Sequence, residues 1–100
     1  MLNRRKSKTP SQTQTRNRNK TRDGRRNLVG GRIRELRRRA VPKITQEDLA
    51  GRVAALSVSL DRTAIYRIEQ GSRAVTDLEL AALAKALRVP IGELFSTKRR

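Results

Sequence analysis

The stretch ITQEDLAGRVAALSVSLDRTAIYRIEQG, residues 44–71, decides how the rest of the chain is read. Thr45 stands where a helix needs an N-cap, and Asp48 can reach back to the Thr45 N–H, which makes a capping box. Leu49, Val53 and Leu56 then recur at +4 and +3, one face of a helix. Ala50 and Ala54 are small enough for a second helix to approach. Ser57-Val58-Ser59-Leu60 breaks that period. Asp61 caps a further helix, whose Ala64, Ile65 and Ile68 face inward. Gly71 ends it, because glycine takes left-handed geometry without a Cβ penalty. Arg62, Thr63, Tyr66 and Arg67 are thereby left pointing outward.

Upstream, Val29, Ile33, Leu36 and Ala40 repeat at +4, +3, +4 and predict a helix whose other face carries Arg32, Arg34, Arg37, Arg38 and Arg39. Val41-Pro42 stops it, since proline disfavours helical geometry in the residue before it. Downstream, Thr76-Asp77-Leu78-Glu79 is a second capping box, followed by an apolar face of Leu80, Leu83, Ala84 and Leu87. Val89-Pro90 resets the chain, and Ile91, Leu94 and Phe95 predict a short fifth helix that closes the core or forms a dimer seam. The expected fold is all-α: a compact five-helix domain over residues 28–97, with a disordered basic tail at 1–27 and a basic end at 98–100. There is no strand pattern and no internal repeat.

Composition narrows the function. The chain has 100 residues, 25 Lys plus Arg against 9 Asp plus Glu, and a net charge of +16. It contains no His and no Cys, which removes the commonest general base, the commonest zinc ligand and the thiol nucleophile. No acid/base pair, nucleophile or phosphate loop is recognisable. The reading is therefore not an enzyme, with no cofactor and no metal. No apolar run approaches a membrane span. The lack of Cys fits a reducing compartment, so a cytoplasmic, prokaryotic or phage-encoded protein is expected. Such positive charge favours a nucleic-acid partner. Residues 1–27 hold ten Lys or Arg and one Asp, with only Met1 and Leu2 apolar. Such a segment cannot offset its ordering entropy and reads as a solvated or phosphate-binding arm.

Two successive short helices, the second polar and N-capped, are the arrangement of a helix-turn-helix, whose second helix enters the major groove. There an Arg can bond two acceptors on guanine, and a Thr can offer its hydroxyl or methyl. Residues 28–95 further resemble the phage-repressor-like helix-turn-helix family, often called the Xre family. The resemblance rests on GGRIRELRRRA (30–40), ITQEDLA (44–50), TAIYRIEQGSR (63–73) and DLELAALAKALRVPIGELF (77–95). It implies a five-helix domain that binds double-stranded operator DNA, usually as a homodimer. It implies that Gln46 clamps a backbone phosphate, that Arg62, Thr63, Tyr66 and Arg67 read bases, and that the loop with Ser72 and Arg73 touches phosphate. The family's turn is short and carries a glycine; here residues 54–60 are longer and lack one.

Bland roles stand beside these. Glu69 reads as a structural acid bonded to backbone or a nearby Arg, and Asp61 as a cap. Gln46 serves as an ordinary first-turn residue or a phosphate contact, and Tyr66 packs on a neighbouring helix or meets DNA. Arg37, Arg38 and Arg39 form a solvated face or meet the flanking backbone. The function expected is a sequence-specific DNA-binding transcriptional regulator. The alternatives are an antitoxin or phage accessory module that binds an unidentified protein and uses DNA binding for autoregulation, and a nonspecific nucleic-acid binder.

Overall fold

The computed structural model describes residues 24–96. Residues 1–23 and 97–100, and with them most of the basic tail and the basic end, lie outside the described residues. Among the described residues four α-helices and one 3-10 helix follow in order: α1 (Gly30–Arg39), α2 (Gln46–Ala54), α3 (Arg62–Gln70), α4 (Asp77–Leu87) and a 3-10 helix (Ile91–Phe95). No strand occurs among the described residues.

The helix starts follow the sequence chemistry. Thr45 and Asp48 form a reciprocal capping box at α2, and Thr76 with Glu79 does the same at α4. The Thr45 backbone N–H, bonded to the Asp48 carboxylate, holds that group below its ordinary pKa. Asp61 caps α3 by accepting from the Ala64 N–H at 2.8 Å. At the other end of α3, Gly71 takes φ of +81° as expected. Each cap satisfies backbone groups that a helix end leaves open, typically worth ~1 kcal/mol.

The long turn has its own solution. α2 ends at Ala54, and the Ser57 N–H donates to the Ala54 carbonyl while the Val58 N–H reaches back to Val53 at 3.1 Å. These are the paired bonds of a Schellman ending, with Ser57 at φ +68° where glycine is usual. Leu60, 2% exposed, anchors the chain into the core before Asp61 starts α3. Leu56, expected on the inward face of α2, lies beyond the helix end and is swung outward.

The core is built from all four helices and the 3-10 helix. Ile33, Leu49, Val53, Ile65, Ile68, Leu83 and Leu94 are fully buried, with Val29, Ile44, Leu60 and Leu87 around them. Leu36, Ala40, Ala64 and Leu80 pack at the margin. Leu94 alone of the predicted fifth-helix residues enters the core; Ile91 and Phe95 stay about half exposed. With three residues per turn, Phe95 is rotated about 120° from its neighbour Leu94 and turns outward when Leu94 is buried. Arg32 ties this helix to α1, donating to the Glu93 carbonyl at 3.0 Å and to its carboxylate at 2.6 Å.

Residues 24–27, assigned to the tail on composition, are joined to the domain. The Arg26 N–H donates to the Gly71 carbonyl at 2.7 Å. Asn27 Nδ2 donates to the carbonyls of Ile68 and Arg73, and its Oδ1 accepts from the N–H groups of Val29 and Gly30. Gly30 has no Cβ because one would strike the Ile68 carbonyl. The start of α1 thus sits flush on the end of α3.

Ile65 has no exposed surface and carries the helical phase of α3. Ile65→Ala is expected to destabilise the domain by about 2–5 kcal/mol, as a large-to-small core change does. Thermal unfolding checks this; an unchanged melting temperature would place the wrong face of α3 inward.

Candidate nucleic-acid interface

Burial of Ile65 and Ile68 fixes the rotation of α3, so Arg62, Thr63, Tyr66, Arg67 and Gln70 are exposed on its opposite side. Gln46 is the first residue of α2. It lines one hollow together with Arg62, Thr63 and Tyr66. Four of the six residues singled out on sequence grounds therefore converge. Arg67 lies on the same exposed side of α3 but outside that hollow.

Arg73 is placed differently. Its Nη1 and Nη2 donate to the two carboxylate oxygens of Glu79 at 2.9 and 3.1 Å, and Nη1 also reaches the Ala74 carbonyl. This bidentate pair braces the α3–α4 loop against the first turn of α4. The Arg73 guanidinium, aided by the Thr76 N–H, holds the Glu79 carboxyl below its ordinary range. Tyr66, 51% exposed, stands away from the core.

Behind the hollow lies a buried polar network. Glu69, on the inward edge of α3, has a side chain only 2% exposed. Arg37 of α1 grips it bidentately, with Nε to Oε2 at 2.7 Å and Nη2 to Oε1 at 2.9 Å, and its Nη1 donates to the Ile44 carbonyl. Gln46 Nε2 donates to Glu69 Oε1 at 3.1 Å. A carboxylate only accepts, so Gln46 must present its amide nitrogen there, leaving the second amide hydrogen for an acceptor such as a phosphate oxygen. Three helices are thus held in register by one carboxylate.

The hollow opens into a larger groove of about 710 Å³ between α1, the start of α2 and α3. Four arginines line it (Arg34, Arg37, Arg38 and Arg62) against two glutamates, Glu47 and the neutralised Glu69. The sequence reading missed Arg34 and Gln70 as groove residues and left Arg38 undecided. The signal for the arginines was their i, i+4 spacing on α1, hidden among five arginines on one short helix. Among the described residues no cluster of acids could hold a metal ion. None of the described helices is long and apolar enough to cross a membrane.

A family model described as a helix-turn-helix domain matches residues 28–95. Among solved structures, the chain is similar to the restriction-modification controller protein C.AhdI from Aeromonas hydrophila. The two are 37% identical over 68% of this chain and 91% of that one, with a TM-score of 0.58. No curated protein matches the chain.

The Glu79 pair has a pH signature. Its folded-state pKa is depressed, so the stability it contributes is present above the unfolded carboxylate range and is lost as pH falls through the folded value. The melting-temperature gap between wild type and Glu79→Gln should be widest near neutral pH and should close as pH falls below the ordinary carboxylate range. A gap independent of pH would mean that the ion pair does not brace this loop.

Proposed function

The chain belongs to the helix-turn-helix domain family and is a DNA-binding transcriptional regulator, and from that premise we propose how it engages its operator. α3 lies in the major groove with Arg62, Thr63, Tyr66 and Arg67 toward base edges. Gln46, at the start of α2, takes a phosphate through its free amide hydrogen and the unpaired N–H groups of the helix end. The observation that carries this reading is the convergence of Gln46, Arg62, Thr63 and Tyr66 in one hollow. Arg73, held by Glu79, serves the scaffold in this reading.

The proposed role is binding rather than catalysis. The protein acts as a homodimer on a two-fold symmetric site, with half-sites about one helical turn, ~34–36 Å, apart. Half-exposed Ile91 and Phe95 supply apolar surface for the seam. Likeness to nearly the whole of a restriction-modification controller supports genes of that kind as the target.

Selection from a random duplex library tests the assignment. It should enrich a palindrome; no enrichment would indicate sequence-blind binding. On the selected site, Arg62→Ala or Arg67→Ala should cost roughly 1–3 kcal/mol and relax specificity at particular positions. Equal losses on selected and random DNA would make these residues phosphate contacts only.

The basic arm contributes a separate effect. Residues 1–23 hold eight Lys or Arg. Their chain enters the domain through the bonds of Arg26 and Asn27 to the end of α3. A variant beginning at Gly24 keeps those bonds. It should bind selected and random DNA more weakly by similar factors, with a salt slope shallower by about 0.9 for each phosphate that the arm neutralises. Unchanged affinity and slope would assign the arm to another partner or to solvent.

A further inference from the structure

The five arginines of α1 are divided by the fold into two classes. Arg32 is held by Glu35 and Glu93, Arg37 by Glu69, and Arg39 by Glu35. Arg34 and Arg38 have no hydrogen bond or ion pair among the described residues. Both are exposed, and both line the groove that also holds Arg62 and Tyr66. They are four residues apart, so their side chains lie on one face, about 6 Å apart along the axis. Like charges at that spacing destabilise a helix. The one carboxylate between them in sequence, Glu35, shares a hollow with both but bonds Arg32 and Arg39.

A cationic pair without an ion-pair partner, lining a groove, suits an anion from outside. Repeated single charges a few ångströms apart suit successive phosphates of one strand, not a compact ligand. Arg37 lies between the two on α1, and its grip on Glu69 of α3 fixes their wall of the groove relative to the reading helix. From this placement we propose that Arg34 and Arg38 clamp adjacent phosphates of the DNA strand running along α1, fixing how α3 sits in the major groove without reading sequence. This rests on the DNA-binding reading above and adds a second anchor, on α1, to that at Gln46.

The test uses the full chain with two labelled duplexes, one carrying the selected site and one scrambled, titrated across a range of salt. Arg34→Ala and Arg38→Ala should each lower the log–log salt slope by about 0.9 and weaken both duplexes by the same factor. Specificity should be unchanged, and the melting temperature unchanged or higher. Arg34→Lys and Arg38→Lys should keep the slope, because a phosphate needs only the charge. Arg88→Ala, an exposed cation outside the groove, serves as the control and should leave the slope alone. If wild type binds the selected duplex and the Arg34→Ala/Arg38→Ala double variant keeps its slope, the clamp is overturned. A loss confined to the selected duplex overturns it as well, since the pair would then read bases. If wild type itself binds neither duplex, the DNA-binding reading fails first and the clamp with it.

Discussion

The Glu69 carboxylate is the point on which the arrangement turns. It is almost wholly removed from water, yet it carries a charge that Arg37 must balance. Removing either partner of such a pair leaves an uncompensated buried ion, a loss commonly of about 3–5 kcal/mol. The pair joins α1 to α3, and the Gln46 amide on the same carboxylate brings in the start of α2. The groove walls are therefore set by side chains that are themselves hydrogen-bonded. The helix backbones that carry the groove are thus fixed relative to one another before DNA is met, although the exposed arginine side chains are not.

A chain with 25 Lys and Arg faces a sorting problem, because cations attract DNA anywhere on a surface. The fold answers it by pairing. Arg32, Arg37, Arg39 and Arg73 are taken up by carboxylates and brace loops and helix contacts. Among the described residues Arg34, Arg38 and Arg62 have no acid partner and line one groove, while Arg26, Arg52, Arg67 and Arg88 also have none and lie outside it. Pairing thus withdraws four arginines from DNA, and the groove gathers three of those that remain.

Much of this was legible in the sequence, for local reasons. Thr45 with Asp48, Asp61, Gly71, and Thr76 with Glu79 announce helix ends through chemistry confined to a few neighbouring residues. The inward phase of α3 followed from Ile65 and Ile68, and from it the exposed row. What could not be read depended on distant contacts. Glu79 captures Arg73 across the α3–α4 loop, and composition cannot choose its partner among so many arginines. Asn27 looked like one more polar residue of the tail, although its four bonds join the entry of α1 to the end of α3. The Ser57 ending was hidden because the usual glycine is missing, and Leu56 fell outside the helix for the same reason.

The orientation of the domain on DNA is the central claim, and amide chemical-shift mapping tests it most directly. A ¹⁵N-labelled sample would be titrated with a duplex carrying the selected site. The largest changes are predicted at Gln46, Arg62, Thr63 and Tyr66, the residues that share the hollow. Largest changes at Arg52, Leu56 and Arg88, at the far end of α2 and α4, with the exposed side of α3 unmoved, would contradict the account.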